Sequence, residues 1–408
     1  MSVHFIHTAD LHLGNRMASL GRHRDDFREA LIRSFDRLLE TTAREKATAL
    51  LIAGDFLEAN EIDDREIEAI RRLLLRPRPF VVLLAAGNHD PHTSASIYAT
   101  RLTDIPGFHV FSAEDTERVD FPDHDLSVYG QSFGSLYQRT PRVPIPGREA
   151  RVWTATEGDL VASDATVAPC RQHVGMVHGT LTAGAVAPND PAALYNPLQT
   201  SDFADLPFAY LALGHIHKPS TIPDLAMGGS GAPVALYPGS PQGISFNEPG
   251  PRHALSVEMA DGAVTAIRPL ITSDRLFLPL TVDVDAADAY DDVCHKIERA
   301  AQDAAGSDIA RHAYRIVLQG TCDETFRADR VAAKLSDRSF GHFTLRDELS
   351  VAIDADALRK EKTLRGWFVD RLMTEIEATD DEPTKTELLR ALRIGLEAFN
   401  GEIVFRVD

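Results

Sequence analysis

Cysteine is scarce in this chain. Its three residues in 408, Cys170, Cys294 and Cys322, lie far apart and lack the close pairing of a metal knuckle or a redox motif. That argues against a disulfide-stapled fold and predicts a reduced, cytoplasmic setting. No apolar run approaches the ~20 residues needed to cross a bilayer, so no membrane role is expected. The amino terminus passes at once into the apolar-rich segment Val3 to Thr8, which predicts no cleaved leader. Tandem repeats and long low-complexity tracts are absent as well. Positive charge is in short supply: 42 Lys and Arg stand against 61 Asp and Glu, a formal net charge of −19. A wholly basic nucleic-acid-binding surface does not fit that balance, because phosphate contacts dominate such affinity. A basic surface confined to a cleft, affinity lent by a partner, and a small-molecule substrate stay open, as does plain solubility.

What the chain does have is five short polar clusters, most of them directly after an apolar run. They are Asp10-Leu11-His12, Gly54-Asp55, Gly87-Asn88-His89-Asp90, His178-Gly179 and Gly214-His215-Ile216-His217. The runs before them, Val3–Thr8, Ala49–Ala53, Phe80–Ala86, Val174–Val177 and Tyr210–Leu213, are short and bounded by turn residues, the pattern of strands buried on both faces. In open α/β sheets, ligands gather outside the carboxyl ends of such strands. Any one of these pairs alone would be read as a turn or a rim histidine. Five in order describe a site.

The residue types point to metal. Two cations about 3.5–4 Å apart can clamp the attacking and leaving oxygens of an in-line displacement at phosphorus. Asp55 is the candidate bridging carboxylate. Asp10, His12 and His217 would complete one metal site, and Asn88, His178 and His215 the other. Oxygen and imidazole donors without cysteine fit a hydrolytic centre better than a structural zinc. His89, left over beside a ligand, is placed to protonate the leaving oxygen. Asp90 joins it as a catalytic-site candidate by securing the turn that carries it. Arg16 and Arg22, in the loop after the first cluster, are candidate phosphate contacts.

In family order, these clusters resemble the calcineurin-like metallophosphoesterases, and within them the DNA-repair exonucleases of the SbcD and YhaO-like bacterial type. Supporting residues are Arg24-Asp25-Asp26-Phe27, Tyr129-Gly130-Gln131-Ser132-Phe133, Ala212 to Lys218, and Tyr237 to Gly243 with Asn247-Glu248. The resemblance covers residues 1–270 well and the rest in outline. It implies the same ligand set, two divalent ions (most commonly Mn2+), DNA as substrate, an SMC-like ATPase partner and relatives that pair as homodimers. It departs at Phe56-Leu57-Glu58, where some relatives carry a histidine that assists exonuclease action; Glu58 would hold a water or nothing. Residues 140–172 are longer than the pattern expects and read as a loop followed by a hairpin around Arg151 to Val161. A small-molecule phosphoesterase and a scaffold protein with weak chemistry are the rival functions.

The expected fold is α/β: a metallophosphoesterase sandwich of mixed sheets flanked by helices over residues 1–272, a small α+β capping domain over 273–350, and a C-terminal helical segment over 351–408. Helices are predicted at Asp25–Arg44, with Phe27, Leu31, Phe35, Leu38 and Leu39 on one face, and at Asp63–Leu75. Further predictions are strands at Leu276–Val284, His312–Gln319 and Phe340–Leu345, and helices at Ala287–Ala304 and Asp323–Leu335. In the last segment, Leu358, Leu364, Trp367, Phe368, Leu372 and Ile376 form one apolar stripe, and Leu388, Leu389, Leu392, Leu396 and Phe399 a second. Both are read as covering the protein's own core, with docking of a partner's helices as the alternative.

Overall fold

The computed structural model describes residues 2–182, 190–222, 233–322, 326–338, 340–351 and 355–399. The chain forms two compact units, Met1–Leu278 with Arg311–Ala313, and Pro279–Ala310 with Tyr314–Asp408. In chain order the first runs β1 (Ser2–Thr8), α1 (Arg24–Arg44), β2 (Ala49–Ile52), α2 (Asp64–Leu74), β3 (Val81–Leu84), α3 (Ile97–Thr100), β4 (Phe108–Val110), β5 (Thr116–Phe121), β6 (Leu126–Gly130), β7 (Glu149–Thr156), β8 (Asp159–Ser163), β9 (Gln172–His178), β10 (Thr180–Leu181), β11 (Pro197–Leu198), β12 (Tyr210–Gly214), β13 (Val234–Leu236), β14 (His253–Ala260) and β15 (Ala263–Ile271).

Two mixed sheets face each other, in orders β15-β14-β1-β2-β3-β4 and β13-β12-β9-β6-β5-β7-β8. Side-chain alternation divides each central strand between two cores. From the first sheet, Phe5, Leu51 and Leu83 meet Val128, Met176 and Ala212 of the second in the layer between them. Their neighbours Ile6, Leu50, Ile52 and Val82 turn outward onto Phe27, Leu31 and Phe35 of α1 and Ile67 and Ile70 of α2. Burial on both faces explains why β2 and β3 are unbroken apolar runs. The helical stripe expected on α1 is buried in full. Helix α2 starts at a capping box in which the Asp63 side chain accepts from Arg65 and Glu66 N–H while Glu66 returns to Asp63 N–H. The stretch expected to form a loop and hairpin does so: β7 and β8 pair antiparallel, and β7 joins the second sheet beside β5.

Parallel strands β1, β2 and β3 end together, as do parallel strands β9 and β12. Each of the five sequence clusters follows one of these ends, so the topology alone gathers them. An edge contact between Phe35 of α1 and Phe56, ring centroids 5.1 Å apart, clamps the segment just after Asp55 to the helix layer.

His7 sits fully inside this sandwich, its Nδ1 2.8 Å from the Tyr210 hydroxyl. Burial holds its imidazole down to about 3. The unfolded chain therefore takes up a proton near pH 6.5 that the folded chain refuses, so stability is full above about 6.5 and falls as the pH drops toward 3. Each pH unit in that window costs about 1.4 kcal/mol. Urea unfolding at pH 7.5 and 5.5 should show a steeper acid loss for wild type than for His7→Gln; equal losses would assign the acid sensitivity elsewhere.

Most of a three-stranded sheet belongs to the second unit, in the order β16 (Phe277–Val284), β17 (Ala313–Cys322), β18 (His342–Val351), with α4 (Tyr290–Ala305) and α5 (Ala328–Asp337). The start of the helix expected at Asp323 lies outside the described residues. Three helices follow: α6 (Ala355–Arg359), α7 (Leu364–Ala378) and α8 (Glu382–Phe399). Val369, Ile376, Leu392 and Leu396 form their shared core, with Phe368 and Leu372 packed against it. The expected stripe on α7 is thus partly corrected. Leu364 and Trp367 are 71% and 66% exposed, because the face turned to α8 is centred on Val369 and Ile376. No helix among the described residues is long and apolar enough to cross a membrane.

Candidate metal centre

All seven expected ligands belong to the first unit, at or just beyond the ends of β1, β2, β3, β9 and β12. Three triads of ligand-capable atoms come within 4.8 Å of one another: Asp10, His12 and His217; Asp55, His178 and His215; and His12, Asp55 and His89. The first two are the expected groupings, and the third links them. Asn88 joins the second, its Oδ1 3.0 Å from His178 Nε2. Asp55 Oδ2 lies 3.3 Å from His178 Nε2 and 3.9 Å from His12 Nε2, between the two groups.

The backbone is bent to make this possible. Asp10 (φ 54°), His12 (φ 48°), Asp55 (φ 48°) and His215 (φ 102°) all lie at positive φ, where non-glycine residues are uncommon and functional sites are over-represented. Gly54, at φ 95°, tolerates its conformation, and a Cβ there would strike the His178 ring. A Cβ on Gly87 would strike the Asp55 carboxylate.

The hydrogen bonds around the rings decide what the centre wants. His178 Nδ1 donates to the Ala53 carbonyl at 2.8 Å. His217 Nδ1 donates to Glu248 at 2.6 Å, and Ser240 Oγ holds the other Glu248 oxygen at 2.8 Å. His12 Nδ1 donates to Glu58 Oε1 at 2.8 Å. Each neutral ring therefore turns an Nε2 lone pair inward. His12 Nε2 and His217 Nε2 face each other at 3.0 Å, and His178 Nε2 faces the Asp55 carboxylate. Lone pairs meeting lone pairs and carboxylates need positive charge between them, a proton or a cation. The donor set, hard oxygens plus imidazoles whose far nitrogens are already anchored, fits divalent cations.

Protein charges alone show the same demand. Burial pulls the His178 imidazole down, but the Asp55 charge and hydrogen bond outweigh it and hold the ring at about 9. Burial pushes the Asp55 carboxyl up, yet His178 and His12 hold it well below the usual carboxylate range. His215 goes the other way, lowered to about 3 by burial and then by His178. It is a neutral donor between the His178 and Tyr195 rings, 5.2 and 4.9 Å away.

His89 is 43% exposed at its side chain and lies 4.9 Å, centroid to centroid, from His12. Its backbone N–H donates to Asp55 Oδ1 at 2.9 Å. Asp90 is 1% exposed and has both carboxylate oxygens occupied: Phe56 and Leu57 N–H and the Tyr98 hydroxyl on Oδ2, Gly87 N–H on Oδ1. Through these hydrogen bonds it ties the third cluster to the second. Arg16 is 65% exposed at its side chain and ion-paired with Glu61 at 3.4 Å. Arg22 is held at 3.1 Å from the His23 ring.

Glu58 is the main correction. The sequence left it a water or nothing; the structure gives it two rings. Oε1 holds His12 Nδ1 and Oε2 holds His89 Nδ1, both at 2.8 Å. A carboxylate one link removed from both a ligand and the acid candidate orients both. The hydrogen bond to Glu58, against the opposing pull of burial, lifts His89 to about 9. Glu58→Gln should lower kcat/KM by about 10–100-fold, the usual cost of losing such a support. It should also move the alkaline limb of the pH–rate profile to lower pH, because His89 then gives up its proton earlier. A uniform loss with an unmoved limb would make Glu58 merely structural. Tyr195 and Glu248 were likewise without a role in the sequence, since their partners lie 20 and 31 residues away.

The calcineurin-like phosphoesterase family model matches residues 3–219. Among curated proteins, the chain is 26% identical over 336 residues to the uncharacterized metallophosphoesterase YhaO of Bacillus subtilis (strain 168), covering 78% of this chain and 72% of that one. It is 28% identical over 282 residues to the SbcD protein of the nuclease SbcCD from the same organism, covering 63% and 65%. A shorter match, 36% over 87 residues, is to the DNA double-strand break repair protein Mre11 of Aeropyrum pernix, covering 21% and 20%.

Proposed function

We propose a metal-dependent phosphodiesterase that cleaves DNA, and the premise is membership: the chain belongs to the calcineurin-like phosphoesterase family, whose model matches more than half of it. Hydrolysis of a phosphoester follows from that. The observation that carries the reading is the convergence of two anchored donor groups on either side of the Asp55 carboxylate. Asp10, His12, Asp55 and His217 would hold one cation; Asp55, Asn88, His178 and His215 would hold the other. Bound there, divalent cations (Mn2+ in our reading) would supply Lewis acidity at the phosphoryl group and make a nearby water acidic enough to react near neutral pH.

The protein's own groups do the rest. Asp55 fixes the two halves of the centre relative to each other. Glu58 and Glu248 keep His12 and His217 turned inward. His89, with Nδ1 committed to Glu58, presents Nε2 to the substrate. As water gives up a proton to solvent and forms a P–O bond, and the P–O bond to the leaving group breaks, His89 passes its proton to the departing oxygen and is reprotonated from solvent.

DNA as the substrate is supported by the names of the SbcCD nuclease and Mre11 relatives. By the same extension we propose a role in DNA repair, in the cytoplasm, as the nuclease partner of an SMC-like ATPase. Arg16 and Arg22 are proposed as phosphate contacts. With a net charge of −19, the free chain should bind DNA weakly. A panel of single- and double-stranded DNA, a cyclic nucleotide and a phosphomonoester, each with equal Mn2+, tests the substrate class. Preference for DNA is expected. Preference for the small esters would move the reading to a small-molecule phosphoesterase, and no hydrolysis of any would leave a scaffold.

A further inference from the structure

Beside His89 the surface opens into a cavity of about 240 Å3. Its apolar walls are Leu57, Pro91, Ile97 and Leu136, and Asn60 and Thr93 add an exposed amide and hydroxyl. Among the described residues, no Arg or Lys lines it. Asp90, a carboxylate in the described lining, has both oxygens engaged within the protein. Apart from His89, at the edge shared with the metal centre, such a lining offers no cation to a phosphate. It suits a neutral, flat group with apolar faces and a hydrogen-bonding edge.

Size narrows the occupant. A cavity of roughly 150 Å3 holds one benzene ring, and drug-sized ligands take roughly 300–1,000 Å3. At about 240 Å3 there is room for one heterocycle and not for two stacked ones. Position narrows it further. His89 is both a wall of this cavity and the residue beside the two-cation centre, its N–H on Asp55. A group seated in the cavity is therefore attached on the His89 side of the reacting phosphorus. Leu136, 50% exposed, forms the outer wall.

We propose that this cavity is the subsite for the nucleobase of the leaving nucleoside, so that one unpaired base beside the scissile phosphate is held while His89 protonates the departing oxygen. The assignment rests on the reading of the protein as a DNA phosphodiesterase. It predicts that the base next to the cut must leave its stack. Unpaired or frayed ends are then better substrates than fully stacked duplex, because extruding a paired base costs a few kcal/mol.

The test uses the full chain with Mn2+ and short single-stranded oligonucleotides carrying an abasic sugar on one side or the other of a mapped cut, with the phosphate-free side of each product identified by mass spectrometry. An abasic sugar on the leaving side should lower kcat/KM about tenfold or more, within the range for losing one seated base; on the other side it should matter far less. Ala95→Trp, which fills the cavity from its rim, should cut the normal oligonucleotide as slowly as wild type cuts the leaving-side abasic one, and should no longer distinguish the two. Leu136→Ala should narrow the distinction. Equal rates for wild type on normal and leaving-side abasic DNA would overturn the subsite while leaving the phosphodiesterase reading intact. Failure to cut any oligonucleotide would overturn the DNA reading and the subsite with it.

Discussion

Asp55→Asn should lose more than about a thousandfold in turnover and should no longer take up two cations at once. The size of the effect follows from position. Asp55 is the carboxylate placed between the His12 and His178 nitrogens, at 3.9 and 3.3 Å. An asparagine of the same shape removes the negative charge and replaces one carboxylate oxygen with an NH2 that can only donate, leaving a single neutral oxygen as a ligand. Metal charge stabilisation at a phosphoryl group is worth several kcal/mol, and about 4 kcal/mol is already a thousandfold. The fold should survive, because the carboxylate is held by the site and by one N–H from His89, not by the core. Native mass spectrometry in Mn2+ should count fewer cations on the variant. A variant that keeps two cations and most of its activity would remove Asp55 from the bridging role.

His89→Gln produces the second large effect by a different route. The expected loss is about 10²–10⁴-fold in kcat on DNA, the range for one positioned general acid, with cation content unchanged. Leaving groups discriminate this from a structural role. An alkoxide of a sugar needs a proton as it departs, whereas a p-nitrophenolate does not. The variant should therefore be far less impaired on bis(p-nitrophenyl) phosphate than on DNA. Equal impairment on the two, or loss of cations, would show that His89 acts by holding the centre together.

What could be read from the sequence follows from the range over which each feature is determined. Strands β1, β2, β3, β9 and β12 were legible because burial on both faces writes an apolar run, and the ligands come next in the chain. The residue chemistry proposed two groups of donors, and the fold brings Asp10, His12 and His217 together and Asp55, His178 and His215 together. Glu58 was not. Its meaning depends on the loops after β1 and β3 bringing His12 and His89 to opposite oxygens of one carboxylate, across 46 and 31 residues. Glu248 and Tyr195 escaped for the same reason. The C-terminal stripe was over-read in part: at helical spacing Leu364 and Trp367 look continuous with Phe368 and Leu372, but the helix they pack beside selects a face about one residue round.

Anomalous scattering from crystals grown with Mn2+, recorded at the manganese edge, is the most direct test. Two peaks are predicted, one enclosed by Asp10, His12, Asp55 and His217, the other by Asp55, Asn88, His178 and His215. A single peak away from Asp55, or none at a saturating concentration, would contradict the two-cation centre on which the proposed chemistry stands.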